Sequence, residues 1–416
     1  MRAALLILVL LLQSEPAGEA LKTIDEGTLR EHENFLASDA LEGRAAGFPG
    51  NAKAVDYLVK QVSGYHLKPA GTDGYLQEFE FETRGETRKA KNVLALLEGS
   101  DPKLKEEYVL IGGHLDHVGR VGQAVSGQKD GAKDGDEIWN GADDNGSGTS
   151  TILTVARAFG LGRVKPKRSI LFAWWNAEEA GLKGSAWWAG HPTRPLEKVT
   201  YCLNLDMVGR NPERPMDVEG VKNAEGDALE GIITAACDAE QLKIKKYDHT
   251  NEAMFRSDGV SLLKQGIPAT MFFTYWHADY HAVGDHADKI AYPNLAKIAR
   301  SAYRILLETA DLERGLRINP DTPLGGRPLA IRGEDLVLGN GDGGVKVSFV
   351  SPDSALGKAG LQPNDTIVAF QGQPLPAQRP MAALWKRVQE SRNESETALK
   401  LLRGAEEKEL KVSWSR

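Results

Sequence analysis

From residue 93 to about residue 309 the chain alternates two kinds of hydrophobic pattern. Val93–Leu97, Tyr108–Gly112, Ser169–Trp175, Val199–Leu205 and Ala269–Thr274 are short runs with few polar residues on either side of the pleat. Such runs predict strands buried on both faces. Between them, apolar residues recur at helical spacing in Gly148–Phe159, Ala177–Ala189 and near Ala228–Gln241, and again from Pro293 to about Thr309. Pro293 suits a first helical turn, where no backbone N–H is needed. Strands and helices in this order predict an α/β fold, a doubly wound sheet in three α/β/α layers. Ahead of it, residues 25–65 read as two helices and Tyr75–Glu82 as a strand or half of a hairpin.

Around residues 312–330 the periodicity gives way to Arg-Gly-Leu-Arg-Ile-Asn-Pro-Asp-Thr-Pro-Leu-Gly-Gly-Arg-Pro, a stretch rich in turn formers that reads as a linker. Beyond it Val345–Val350, Thr366–Phe370, Ala398–Leu402 and Glu409–Trp414 read as strands, with one helix at about Met381–Glu390. The division expected is therefore a leader over 1–20, a main domain over 21–311, the linker over 312–330 and a small β-rich domain over 331–416. At the other end, Arg2, the apolar run Ala3–Leu12 and Gly18-Glu19-Ala20 have the order of a secretory signal with its cleavage site. The run is too short to span a bilayer, so a secreted or periplasmic protein with no membrane span after signal removal is expected. A retained anchor is the alternative.

Composition adds exclusions. The 416 residues carry a formal charge of -7, which gives no broad electrostatic footprint for nucleic acid. The two cysteines, Cys202 in an apolar strand and Cys237 in an Ala-rich helix, lack the spacing of a metal or redox motif. They are compatible with one disulfide or with two buried thiols.

The polar residues at the strand ends carry the chemistry. Gly141-Ala142-Asp143-Asp144-Asn145-Gly146-Ser147-Gly148 puts acidic oxygens inside a glycine-rich turn. His114, Glu178-Glu179, Asp206 and His281 each follow an apolar run, and carboxyl ends of strands are where open α/β sheets collect ligands. Two imidazoles and three carboxylates, His114, Asp143, Glu179, Asp206 and His281, suit a pair of zinc-like ions with mixed nitrogen and oxygen donors. Glu178 is then left over as the general base, with a hydroxide held between the ions as nucleophile. Asp116, two residues beyond His114, would point to the same side of an extended strand and accept the other imidazole N–H; Asp285 would do the same for His281. Each residue alone has a plainer reading: Asp143-Asp144-Asn145 as a helix cap, Glu178-Glu179 as a solvated first helical turn, each histidine as a structural one. The coincidence of all five at successive strand ends outweighs those readings. With the ligand count filled, His117, His277 and His286 read as pocket or surface residues, and Trp174, Trp175, Trp187 and Trp188 as core and pocket wall.

At Leu41–Arg44, His114–His117, Asn140–Gly148, Asn176–Ser185, Asn204–Arg210 and Asp279–His281 the chain resembles the dizinc aminopeptidases of peptidase family M28, over residues from about 25 to 311. The resemblance implies a zinc-exopeptidase-like fold, two zinc ions or other divalent metals, and peptide substrates with a free N-terminus. It also implies that Asp143 bridges the ions, that His114 and Asp206 complete one site, that Glu179 and His281 complete the other, and that Glu178 is the base. Asp144 is then a turn residue that does not ligate. Ser257-Asp258-Gly259 stands where the family often has Ser-Asp-His before a Gly-Ile-Pro stretch, here Gly266-Ile267-Pro268, which touches pocket details rather than hydrolysis. Residues 331–416 are similar to a bacterial PDZ domain at Gly344–Val347, Ser351–Leu356, Lys358–Leu361 and Asn364–Ile367, with Asn364 where glycine is usual. Such domains add an extended peptide or protein C-terminus to a sheet edge. Rival expectations are a glutaminyl cyclase-like enzyme and a non-catalytic peptide-binding protein working through the PDZ-like domain.

Overall fold

In the computed structural model the described residues are 15–123, 127–129, 131–133, 135–220, 228–245, 253–316, 336–341, 343–350, 355–376, 380, 383–384, 387 and 396–413. The main sheet contains β1 (Lys68–Pro69), β2 (Leu76–Thr83), β3 (Glu86–Leu97), β4 (Tyr108–His114), β5 (Ser169–Trp175), β6 (Val199–Leu205), β7 (Asp217–Gly220) and β8 (Ala269–Phe273). Its order is β1-β3-β5-β4-β6-β8-β7, with β2 paired to β3. The central run β5-β4-β6-β8 is parallel, as the apolar strands predict. Both flanks are antiparallel, β3 against β5 and β7 against β8, so the sheet is mixed rather than purely doubly wound.

Period-two side-chain alternation sorts the continuous apolar runs onto two cores. Val109, Ile111, Ile170, Phe172, Trp174, Leu203 and Leu205 face one layer, which also holds Ile152, Phe159 and Tyr303. Tyr108, Leu110, Leu171, Ala173, Trp175 and Cys202 face the other, with Trp188, Leu262 and Leu263. On the first face the helices Gly148–Leu161 and Tyr292–Asp311 meet through Phe159 and Tyr303, whose rings stack at 4.3 Å. Truncating a ring this deep, as in Phe172→Ala, costs about 3–5 kcal/mol. Cys202 and Cys237 are buried free thiols in different cores, so the sheet itself separates them.

One expected helix begins elsewhere. The helix anticipated from Ala177 runs over Lys183–Gly190, because Ala177 and Leu182 take left-handed backbone conformations and the Glu178 and Glu179 amides bond outside any helix. At the amino end, Glu15–Lys22 is helical with Ala17 and Ala20 in the first core, so a cut after Ala20 would remove two packed residues. Residues 1–14 of the expected leader, and residues 317–330 of the expected linker, lie outside the described residues. Among the described residues no helix is long and apolar enough to cross a membrane.

The C-terminal strands form a separate antiparallel sheet. It contains β9 (Leu336–Gly341), β10 (Gly344–Val350), β11 (Thr366–Phe370), β12 (Gln373–Pro374), β13 (Glu396–Arg403) and β14 (Glu406–Ser413), in the order β14-β13-β11-β10-β9 with β12 on β11. It has its own core, with Val345, Val347, Ile367, Phe370, Leu399, Leu401 and Val412. Of the helix expected over Met381–Glu390 most residues lie outside the described set.

Candidate metal centre

β4 ends at His114, and the chain then leaves the sheet through Leu115, Asp116 and His117. The fully buried Arg44 ties this exit to the acidic turn. Its Nε donates to the Leu115 carbonyl at 3.0 Å, Nη1 to Leu36 and Asn140 at 2.6 Å each, and Nη2 to Gly141 at 2.8 Å. Gly141 itself sits at φ 61°, and a Cβ there would stand 2.4 Å from the His117 ring, so only glycine fits both the backbone and the contact. The Asp285 carboxylate accepts the N–H groups of Asp143 at 2.9 Å and Asp144 at 3.1 Å, which fixes the next step of the turn.

These constraints aim Asp144 at the strand ends. Its Oδ1 lies 3.3 Å from His114 Nε2, and its Oδ2 lies 2.9 Å from His281 Nε2. Asp206 Oδ1 is 3.4 Å from the same His114 nitrogen, and Glu179 Oε1 is 3.1 Å from His281 Nε2. His114, Asp144 and Asp206 therefore form one donor group, and His117, Asp144, Glu179 and His281 a second, with Asp144 common to both. A tetrahedral ion with bonds of about 2.0–2.1 Å separates its donors by roughly 3.3 Å, so these separations suit divalent ions. The ring orientations fit as well: His114 Nδ1 donates to the Asp116 carbonyl at 3.2 Å and His281 Nδ1 to the Gly127 carbonyl at 3.0 Å, so in its neutral form each ring would turn an Nε2 lone pair toward the carboxylates.

Four of the five residues expected to ligate, His114, Glu179, Asp206 and His281, are thus brought together. Asp143 is not. Its Oδ1 accepts the Gly209 N–H at 2.6 Å, and its Oδ2 lies 3.2 Å from the buried His277, on the far side of the turn. Asp144 takes the shared position instead, because the two adjacent carboxylates diverge from an irregular backbone that reverses which one faces the sheet. Asp116 also differs from expectation. With the strand already ended, its carboxylate accepts the N–H groups of Glu178 at 3.0 Å and Glu179 at 3.3 Å, so it positions the glutamate pair rather than the His114 ring. Asp285 holds the acidic turn, not His281. His117 is buried, the His277 side chain is largely covered, and His286 lies partly exposed beside Asp136.

Electrostatics follow from packing so many charges together. Burial pulls His281 down, yet its hydrogen bonds with Asp144 and Glu179 outweigh this and lift it to about 10. Burial also opposes ionisation of Asp144, but bonds from His114 and His281 hold it well below the usual carboxylate range. Burial lowers His117 and raises Glu178 well above its ordinary value. Protons on the imidazoles here balance carboxylates that a divalent cation would balance in their place.

Beside the donors opens a cavity of about 340 Å³. Glu178 lines it, as do Met207, Met271, Phe273, Trp276 and Arg256, whereas Trp174, Trp175 and Trp188 belong to the cores. Trp187 stacks on His191 instead. No hydrophobic period singles out Trp276 or Arg256, so only tertiary structure brings them in.

Comparison with known proteins places the family and the fold. Residues 92–306 match peptidase family M28. Over 327 residues the chain is 29% identical to leucine aminopeptidase 2 of Arthroderma otae, covering 71% of this chain and 60% of that protein. It is 32% identical over 175 residues to leupeptin-inactivating enzyme 1 of Streptomyces exfoliatus, covering 42% of this chain and 33% of that protein. Among solved structures, a zinc-dependent exopeptidase of Parabacteroides distasonis shares the fold with TM-score 0.55 at 19% identity, over 68% of this chain and 98% of that one. The glutaminyl cyclase of Porphyromonas gingivalis does so with TM-score 0.52 at 20% identity, over 69% and 98%. The chain thus spans about half to three fifths of the length of the leucine aminopeptidases it matches.

Proposed function

From the premise that this chain belongs to peptidase family M28, we propose that it is a zinc-dependent aminopeptidase that removes N-terminal residues from peptides with two metal ions. The observation that carries the reading is Asp144, whose two oxygens face two separate donor groups. His114, Asp144 and Asp206 would hold one ion, and Asp144, Glu179 and His281 the other. Two divalent ions so held supply Lewis acidity to a peptide carbonyl and make a water acidic near neutral pH.

The chain's own residues supply the rest. Glu178 stands on the cavity wall, its backbone fixed by Asp116, where its carboxylate takes a proton from the attacking water and passes it to the leaving amine. Asp206 is oriented through its Oδ2, which accepts from Ser257 Oγ at 2.7 Å. Met207, Met271, Phe273 and Trp276 form an apolar wall that suits an apolar N-terminal side chain. The second sheet acts as a PDZ-like unit that binds peptide or protein C-termini, and the protein is exported. Activity on aminoacyl peptides before and after chelation, with N-terminal glutamine peptides as a cyclisation control, tests the reading. Chelator-resistant hydrolysis, or cyclisation without hydrolysis, would sink it.

A further inference from the structure

Apart from the histidines of the donor groups, Arg256 is the one cationic side chain on the cavity wall among the described residues. We propose that its guanidinium anchors a carboxylate carried by the substrate and so selects which peptides the site accepts. With an apolar N-terminal side chain against Met271, Phe273 and Trp276, that carboxylate is the free C-terminus of a dipeptide. An acidic N-terminal side chain, its methylenes along the same wall, is the other source of the same chemistry. The inference rests on the peptidase reading and adds a substrate class to it.

The backbone that carries Arg256 is fixed at both ends. Buried Glu219 of β7 accepts the Ala253 N–H at 3.1 Å and the Met254 N–H at 2.7 Å, where the short turn Met254–Arg256 begins. Just past it Ser257 Oγ donates to Asp206 Oδ2 at 2.7 Å, so Arg256 springs one residue from the group that orients a metal donor. Little backbone ordering is then left for substrate binding to bring about. The side chain is exposed, and its Cζ lies 5.5 Å from the centre of the Trp276 ring, itself exposed beside the cavity. A guanidinium over an aromatic face keeps its N–H edge open to a further partner. The acidic side chains of the cavity are engaged elsewhere, Asp144 and Asp206 with His114 and Glu179 with His281, and no carboxylate among the described residues pairs with Arg256. Its planar fork matches a carboxylate in two parallel hydrogen bonds. The plainer arrangement has Arg256 only covering Trp276, in which case a charge on the substrate makes no difference.

Four peptides offered to the zinc-loaded full chain separate these cases. kcat/KM is measured for Leu-Leu against Leu-Leu amide, and for Glu-Leu amide against Gln-Leu amide, in the wild-type protein, Arg256→Lys and Arg256→Met. In Arg256→Met at least one of the two acid-to-neutral ratios should fall roughly 10–100-fold, through KM rather than kcat, with Arg256→Lys in between. A fall for Leu-Leu assigns the carboxylate to the peptide C-terminus, and a fall for Glu-Leu amide assigns it to the N-terminal side chain. Both ratios unchanged in Arg256→Met, whatever the absolute rates, overturn the inference. Absence of chelator-sensitive hydrolysis of all four peptides by the wild-type chain would instead overturn the peptidase reading beneath it.

Discussion

The carboxyl edge of the first sheet and the interior of the second handle buried charge in opposite ways. In the second sheet Asp365 is fully buried, and every demand it makes is met: Arg403 Nε donates to Oδ1 at 2.7 Å, and Arg403 Nη2 and the Gln362 N–H donate to Oδ2 at 2.8 Å. At the edge of the first sheet His117 Nε2 and His277 Nδ1 are buried without a hydrogen-bond partner among the described residues, and Asp143 Oδ2 and Asp285 Oδ1 make only looser ion-pair contacts, with His277 at 3.2 Å and Arg210 at 3.6 Å. Interiors satisfy their polar groups almost everywhere, so such a concentration marks a place selected for chemistry rather than for stability. The second sheet spends its buried carboxylate on holding a turn together.

Substitutions can break this contrast from either side. Glu178→Gln should leave metal content unchanged and lower kcat by roughly 10²–10⁴-fold, the range that a positioned proton carrier supplies. Full activity in that variant would remove Glu178 from the base role. Asp116→Asn should act more weakly, since it keeps one acceptor for the Glu178 and Glu179 amides; a fall of about 10-fold in kcat with little change in KM is expected. In the second sheet Asp365→Ala should lower the unfolding transition of that unit by roughly 5 °C while kcat/KM stays at the wild-type value. A loss of peptidase activity there would show that the two units are not independent.

A further expected effect concerns pH. Burial raises the Glu33 carboxyl to about 8 from its ordinary 4.5, opposed in part by the Ser150 hydroxyl that donates to Oε2 at 2.8 Å. The folded chain therefore holds a proton that the unfolded chain releases. Its stabilising effect is full below pH 4.5, declines as pH rises toward about 8, and is then constant. The slope approaches about 1.4 kcal/mol per pH unit at most. Glu33→Gln should flatten this dependence in urea unfolding measured at several pH values across the window, and an unaltered slope would assign the proton elsewhere.

Much of the first sheet is legible in the sequence, for a reason the cores make plain. β4, β5 and β6 are apolar on both faces, so each reads as an unbroken run. β7 escapes such reading because Asp217 and Glu219 are buried in it, with Glu219 accepting the N–H groups of Ala253 and Met254. At the site, His114, Glu179, Asp206 and His281 are visible because each follows a strand. Which of Asp143 and Asp144 faces the sheet is not, since it depends on the dihedral angles of a turn that two identical neighbours do nothing to distinguish. The role of Asp116 fails by a related route: period-two logic requires a strand that continues, and β4 stops at His114.

The central claim is that Asp144 is shared by two metal positions, and zinc content per chain in Asp144→Ala and Asp143→Ala tests it most directly. Elemental analysis should find about two zinc ions in the wild-type protein and in Asp143→Ala, and close to none in a folded Asp144→Ala protein. Two ions retained by Asp144→Ala, with loss in Asp143→Ala, would contradict the account.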